Sequence, residues 1–214
     1  YLSTNFDVSV EWYPTPTTTL SPAPFYKHVN DFIVTTIEQE IVPIENADDI
    51  PVGGVITGPN EATFSAARPR NAEAANIWGL ELNLVHTFDN LPGWWSGFGT
   101  ALNATFVDTN RDFGSISPEV RFAVVGLSDS KNATIFYEKY GFSARIAFNR
   151  RDGFLYSIAE GSGSEPLFVR SYDQVDASVS YDVTDNATVF IEGTNILDNE
   201  YVRTARFDNQ IRGY

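Results

Sequence analysis

Between Asn76 and Phe88 the chain alternates, with Trp78, Leu80, Leu82, Leu84 and Phe88 on one parity and Gly79, Glu81, Asn83 and Thr87 on the other. A period of two marks a strand with one apolar and one polar face. The pattern recurs in Phe6, Val8, Val10 and Trp12 against Asn5, Asp7, Ser9 and Glu11, and in Phe98, Leu102, Ala104 and Phe106 against Asn103 and Thr105. It returns in Phe142, Ala144, Ile146 and Phe148 against Ser143, Arg145 and Asn149, in Val175, Ala177, Val179 and Tyr181 against Gln174, Asp176, Ser178 and Ser180, and in Val189 and Ile191 against Thr188, Glu192 and Thr194. The chain therefore reads as all-β, an antiparallel up-and-down meander of about eight strands. Leu80, Leu82, Leu84, Leu102, Phe106, Ile146, Val179 and Ile191 are expected on one surface of it.

Connections come in two lengths that take turns. Short ones fall at Pro14 to Thr17, Asp89 to Gly93, Lys139 to Gly141 and Thr184 to Asn186; long ones cover roughly 43–62, 108–130 and 151–171 and are rich in Gly, Pro, Ser and charge. Short turns at one end and long loops at the other are the layout of a transmembrane β-barrel, with turns in the periplasm and loops outside. Several strands exceed the ~9–11 residues that cross a bilayer, so they should project on the loop side. Trp12, Tyr13, Trp94, Trp95, Tyr137 and Tyr140 sit beside the short turns, where amphipathic rings form an interface girdle. The competing reading is a soluble all-β carbohydrate-binding module, a sandwich with the same rings capping a closed core. Detergent dependence separates the two, because a continuous exposed apolar band aggregates without it.

Six ordered blocks, NFDVSVEWY, FYKHVNDFIVTT, WGLELNLVHTFDNLPGWWSGFGTALNATFVDT, VVGLSDSKNATIFYEKYGFSARIAFNRRDGFL, YDQVDASVSYDVTDNATVFIEGTNILDNEY and RFDNQ, resemble the C-terminal third of the barrel of TonB-dependent outer-membrane receptors. The resemblance covers nearly the whole chain. It implies that residues 1–214 are part of a 22-strand barrel, with plug domain, TonB box, earlier strands and final strand absent from this fragment. It further implies location in the cell outer membrane, contact with outer-membrane lipid, and active transport of a small-molecule ligand, an oligosaccharide first and a siderophore second. The TonB complex would act through the missing plug. The first and last strands should then be open edges of a curved wall. Where the family continues an apolar strand, this chain places Pro22 and Pro24, which cannot donate to a ladder, so pairing between about residues 18 and 25 should be interrupted.

Composition narrows the classes. Among 214 residues, 14 Lys+Arg face 28 Asp+Glu, a net charge of −14, which argues against a nucleic-acid partner. With 43% hydrophobic and 14% aromatic residues the chain is too apolar for a disordered acidic tail. No window approaches the ~18 consecutive apolar residues of a spanning helix, a test to which a barrel is blind. Cys is absent, which removes disulfides and thiol chemistry. Met is absent even at position 1, which points to a processed chain or an internal fragment.

The sequence carries no catalytic motif, so the expectation is a non-enzyme without cofactor or metal. His28 and His86 lie on different strands and read as structural. Gly161 to Ser164 lacks the flanks of a nucleophile elbow, and Asp48-Asp49 lacks the ligand spacing of a calcium loop. Asn103, Asn132 and Asn186 open N-A-T triplets that fall in strands or short turns and read as chance matches to a glycosylation acceptor. Glu81, Asn83, Asn103, Thr105, Glu138, Arg145, Asn149, Asp176 and Glu192 share the inward parity, facing a hydrated interior or the plug. Loop-side charges are Arg68, Arg70, Arg111, Asp112, Arg121, Arg151, Asp152, Arg203 and Arg206, and loop-side rings include Phe113, Phe122, Phe154, Tyr156 and Phe168. Loops carry recognition more often than turns, and flat polar solutes are held by aromatic faces and planar side chains, so Phe113, Arg121, Arg151 and Tyr156 are the candidate ligand-binding residues.

Overall fold

The structure, a computed structural model, describes residues 2–31, 33–45, 50, 54–71, 74–111, 124–160, 165–205 and 211–213. Its strands in chain order are β1 Leu2–Asp7, β2 Trp12–Thr15, β3 Thr18–Asn30, β4 Ile33–Pro43, β5 Val55–Gly58, β6 Glu61–Asn71, β7 Ala75–Thr87, β8 Phe98–Thr109, β9 Ser130–Lys139, β10 Phe142–Arg151, β11 Phe154–Glu160, β12 Glu165–Val169, β13 Tyr172–Thr184, β14 Ala187–Gly193, β15 Arg203–Thr204 and β16 Ile211–Gly213. The only helical turn among the described residues is the 3-10 segment Gly93–Gly97.

The main sheet runs β1-β3-β7-β8-β9-β10-β13-β14, with β2 also on β3. Every pairing is antiparallel. β1 and β2 lie along β3 in one register, Asp7 opposite Phe25 and Trp12 opposite Leu20, so the first strand is a single line whose middle lacks a regular ladder. The predicted meander of about eight strands is thus observed. Among the described residues β1 and β14 do not pair, so the sheet is an open wall with two free edges.

The register sorts side chains as the alternation predicts. Leu84 opposes Leu20 and Leu102, Leu80 opposes Phe106, Ile146 opposes Ile135, and Val179 opposes Ala144 and Ile191. Directly opposed residues share a face, so all eight predicted apolar residues lie on one surface. That surface is uncovered: Ile191 is 80% and Ile146 59% exposed. A sandwich would bury these side chains between sheets, and this sheet does not. From Phe98 to Phe106 the apolar band follows β8 for about 27 Å, which at a barrel tilt of about 40° gives roughly 20 Å of height, close to the ~25 Å of outer-membrane barrels.

Both prolines lie inside β3, which is continuous, and their pairing to β7 is regular, Pro22 to Leu82 and Pro24 to Leu80. The expected interruption falls on the other side only. Backbone groups alternate between the two edges of a strand, and both prolines turn theirs toward the first strand. There Val8 N–H donates to Pro24 O and Val10 N–H to Pro22 O, each at 3.1 Å, and residues 8–11 have no assigned strand.

Loops and turns separate to opposite ends. The short-turn end holds Pro16-Thr17, the 88–97 connection, Tyr140-Gly141 and Asp185-Asn186. The loop end holds two further sheets, β4-β6-β5 and β11-β12-β15-β16. The expected loop of roughly 43–62 is flanked by an eleven-rung ladder, Ile33 opposite Asn71 through Pro43 opposite Glu61. The expected 151–171 loop contains β11 and β12. Most of the buried apolar residues lie at this end, including Ala62, Ala66, Ala75, Leu155, Leu167, Val169 and Ala205.

Candidate functional site

Two surfaces could receive a solute, the polar face of the wall and the loop end above it. On the polar face one row runs Ser21, Asn83, Asn103, Asn132, Asn149, Gln174 across six neighbouring strands. A lower row runs Gly99, Phe136, Arg145, Ser178, Glu192. The wall curves toward this side: a concavity of about 520 Å3 opens on it, lined by Phe136, Glu138, Arg145, Ser178, Phe190 and Glu192 among others. The nine residues expected to face inward all share this surface. Two aromatic rings fill gaps left by glycine. Phe25 rests on Gly79, and Phe136 rests on Gly99, where an added Cβ would come within 2.5 Å and 2.2 Å of the respective rings. A glycine opposite an aromatic lets the ring lie on the strand in place of a side chain.

At the loop end, Arg151 closes β10. Its Nε donates to Ser128 Oγ at 2.9 Å and its Nη2 to Gly126 O at 2.7 Å, while its guanidinium lies 4.1 Å from the Phe154 ring centroid. These bonds hold the 124–129 segment against the top of the sheet, where Gly126 N–H also donates to Leu155 O at 2.9 Å. Arg151 therefore holds loop structure through two of its five N–H groups.

Tyr156 is placed differently. The β11–β12 register passes from Leu155 opposite Phe168 to Ser157 opposite Leu167, so Tyr156 is the extra residue of a β-bulge. Bulges re-aim side chains, and Tyr156 stays 41% exposed while buried Leu155 anchors the strand beneath. The Arg203 guanidinium lies 5.5 Å from its ring centroid. Tyr172 and Tyr201 form a further edge-on ring pair at 5.5 Å. This combination of ring faces and planar cations suits a flat, polar, hydroxyl-rich or anionic solute.

Other loop charges are held by neighbours. Arg68 makes a two-pronged pair with Glu40 at 2.7 and 2.8 Å, and Arg111 donates to Ala74 O at 3.1 Å. Asp152 is bound by Arg150 at 3.1 Å and Lys131 at 3.6 Å, and Arg150 also reaches Asp173 at 3.0 Å. Phe113 and Arg121, together with Asp112, Phe122, Arg206, Asp48-Asp49 and Gly161 to Ser164, lie outside the described residues, as does the Arg70 side chain. Of the four candidate ligand-binding residues the structure thus places Arg151 and Tyr156, and it adds Arg203 to Tyr156. Sequence reading could not single out Arg203, because β15 reaches β11 only through β12.

His28 Nδ1 meets Asn76 Oδ1 at 2.6 Å and His86 Nδ1 meets Thr18 Oγ1 at 2.7 Å, at opposite ends of the β3–β7 pair. Among the described residues no group of His, Asp and Glu is placed to hold a metal ion.

A family model described as TonB dependent receptor-like, beta-barrel, matches residues 1–196. Among solved structures, the siderophore receptor PirA from Acinetobacter baumannii shares the fold with a TM-score of 0.56 and 18% identity, over 92% of this chain and 27% of that one. The chain thus spans just over a quarter of that receptor's length. No curated protein matches the chain at a significant level.

Proposed function

The chain belongs to the TonB dependent receptor-like β-barrel family, and from that premise we propose that it is a stretch of the barrel wall of an outer-membrane importer. The observation that carries this reading is the face sorting: eight neighbouring strand lines put apolar side chains on one uncovered surface and amides, hydroxyls and charges on the concave other. In a bilayer the first surface meets acyl chains and the second lines a hydrated interior. The short-turn end lies in the periplasm and the loop end outside.

The cargo is a small solute. An oligosaccharide is the first reading, because ring faces beside planar side chains recognise sugars. A ferric siderophore is the second, favoured by the guanidinium of Arg203, which no carboxylate neutralises among the described residues. The segment is assigned no catalytic chemistry. Energy would arrive from TonB through a plug domain, since the chain carries no nucleotide-binding motif.

The test is uptake by a strain that depends on the parent receptor. Labelled oligosaccharide, and separately ferric siderophore, should accumulate only with both the receptor and TonB present. Uptake that persists after TonB is deleted contradicts the transport mechanism, and a parent protein found in the soluble fraction contradicts the membrane assignment.

A further inference from the structure

Lys139 is the one Lys or Arg in the short turns and their flanks, residues 13–18, 86–98, 138–142 and 182–188. Opposite Phe142 on the β9–β10 register, it stands on the apolar face. Its ammonium donates to Gly93 O at 2.9 Å and to Ser96 Oγ, and lies 5.0 Å from the Tyr140 ring centroid. Trp94 completes the enclosure, 4.9 Å from Tyr140 and stacked 6.4 Å from Tyr137 at 14°. The turn is shaped to this cluster, for a Cβ at Gly97 would come within 2.7 Å of the Tyr137 ring and 2.8 Å of Lys139 Cβ.

An ammonium has three protons, and the turn takes two. Among the described residues no carboxylate pairs with Lys139, although the chain has 28 acidic residues. The Tyr137 hydroxyl is buried among the rings, likewise without a hydrogen-bond partner among the described residues. A cation and a phenol left this way at the rim of an apolar surface, beneath widely exposed Trp94, Trp95 and Tyr140, match a group with anionic oxygens on an apolar stem.

We propose that Lys139, walled by Trp94, Tyr137 and Tyr140, binds the phosphodiester of a membrane glycerophospholipid at the short-turn face. The ring bodies run on into Phe98 and Phe142 of the apolar face, so acyl chains and headgroup are met in order from one side. Asp89 and Asp185 lie in the short turns at the same end, which suits a headgroup carrying an ammonium beside its phosphate, as in phosphatidylethanolamine. A charge-assisted hydrogen bond from the ammonium to the phosphodiester should enrich such a lipid about fivefold. The inference rests on the membrane-wall reading.

The experiment uses the complete receptor in bilayers of a phosphate-free galactolipid doped with acyl-brominated phosphatidylethanolamine. The signal of the turn is taken as the fluorescence difference between the native receptor and its Trp94→Phe/Trp95→Phe variant. Quenching about fivefold above that set by mole fraction is expected in the native receptor, retained in Lys139→Arg and in Ser96→Ala, which loosens the turn but keeps the cation, and lost in Lys139→Gln. Quenching in simple proportion to mole fraction, or equal in Lys139→Gln, overturns the site while leaving the membrane reading standing. No quenching even in fully brominated bilayers overturns both.

Discussion

The backbone N–H of Val10 donates to the carbonyl of Pro22 over 3.1 Å, and Pro22 has no N–H with which to answer. Val8 and Pro24 repeat the relationship two residues on. A seam two hydrogen bonds short therefore runs down the wall between the first strand and β3, inside the apolar band, where water is least available to compensate.

Replacing both prolines by valine should close that seam. Each restored bond contributes about 1 kcal/mol, while losing each proline costs about 0.4–1 kcal/mol through the unfolded chain. The net change in global stability is small, so the informative readout is local. In Pro22→Val/Pro24→Val the new amides at 22 and 24 should exchange slowly with solvent deuterium, and protection at 8–11 should rise. Unchanged exchange across 8–11 contradicts the one-sided interruption.

Gly79 and Gly99 predict different rescue behaviour. A Cβ at Gly79 would lie 2.3 Å from the backbone carbonyl oxygen of Phe106, whereas the nearest atoms at Gly99 belong to the Phe136 ring, at 2.2 Å. Each alanine variant should lose about 1–3 kcal/mol by overpacking. Adding Phe136→Ala should recover much of the Gly99→Ala loss, and adding Phe25→Ala should leave the Gly79→Ala loss in place. Urea titration of the receptor refolded in detergent measures both. Equal recovery at the two sites is the contrary result.

At the loop end, alanine at Tyr156 or Arg203 should weaken binding of the transported solute about fivefold to thirtyfold, corresponding to ~1–2 kcal/mol for a stacked cation and ring. Alanine at Phe113 and Arg121 should also weaken it. Arg151→Ala should weaken it too, and should also raise deuterium exchange of 124–129 in the absence of any solute. Alanine at Asp89, Asn90 and Asp185 should leave binding unchanged. Equal losses from the loop and turn sets, read by titration calorimetry, contradict recognition at the loop end.

What the sequence made legible follows from periodicity and sterics. Leu80, Leu82 and Leu84 could be assigned to one face without coordinates, because a strand next to an apolar environment must repeat every second residue. Trp94 and Trp95 could be placed at the girdle because a short turn fixes where the strand ends. Proline's missing donor was readable at 22 and 24, but the edge it faced was not, since that depends on the register with β7. The loop-end sheet is illegible in the sequence for a related reason. It joins 154–169 to 203–213 through short strands, so no local window carries its period, and the bulge that exposes Tyr156 has no residue signature at all.

In the proposed membrane wall, one face meets lipid and the other a hydrated interior. Spin labels placed singly along β7 at positions 80 to 84 in the complete, bilayer-embedded receptor, with 145, 146, 191 and 192 as partners, report it through collision with dissolved oxygen and with a water-soluble nickel chelate. Labels at 80, 82, 84, 146 and 191 should be oxygen-accessible and chelate-shielded, and those at 81, 83, 145 and 192 should show the reverse, alternating with a period of two. Equal chelate access at both parities contradicts it.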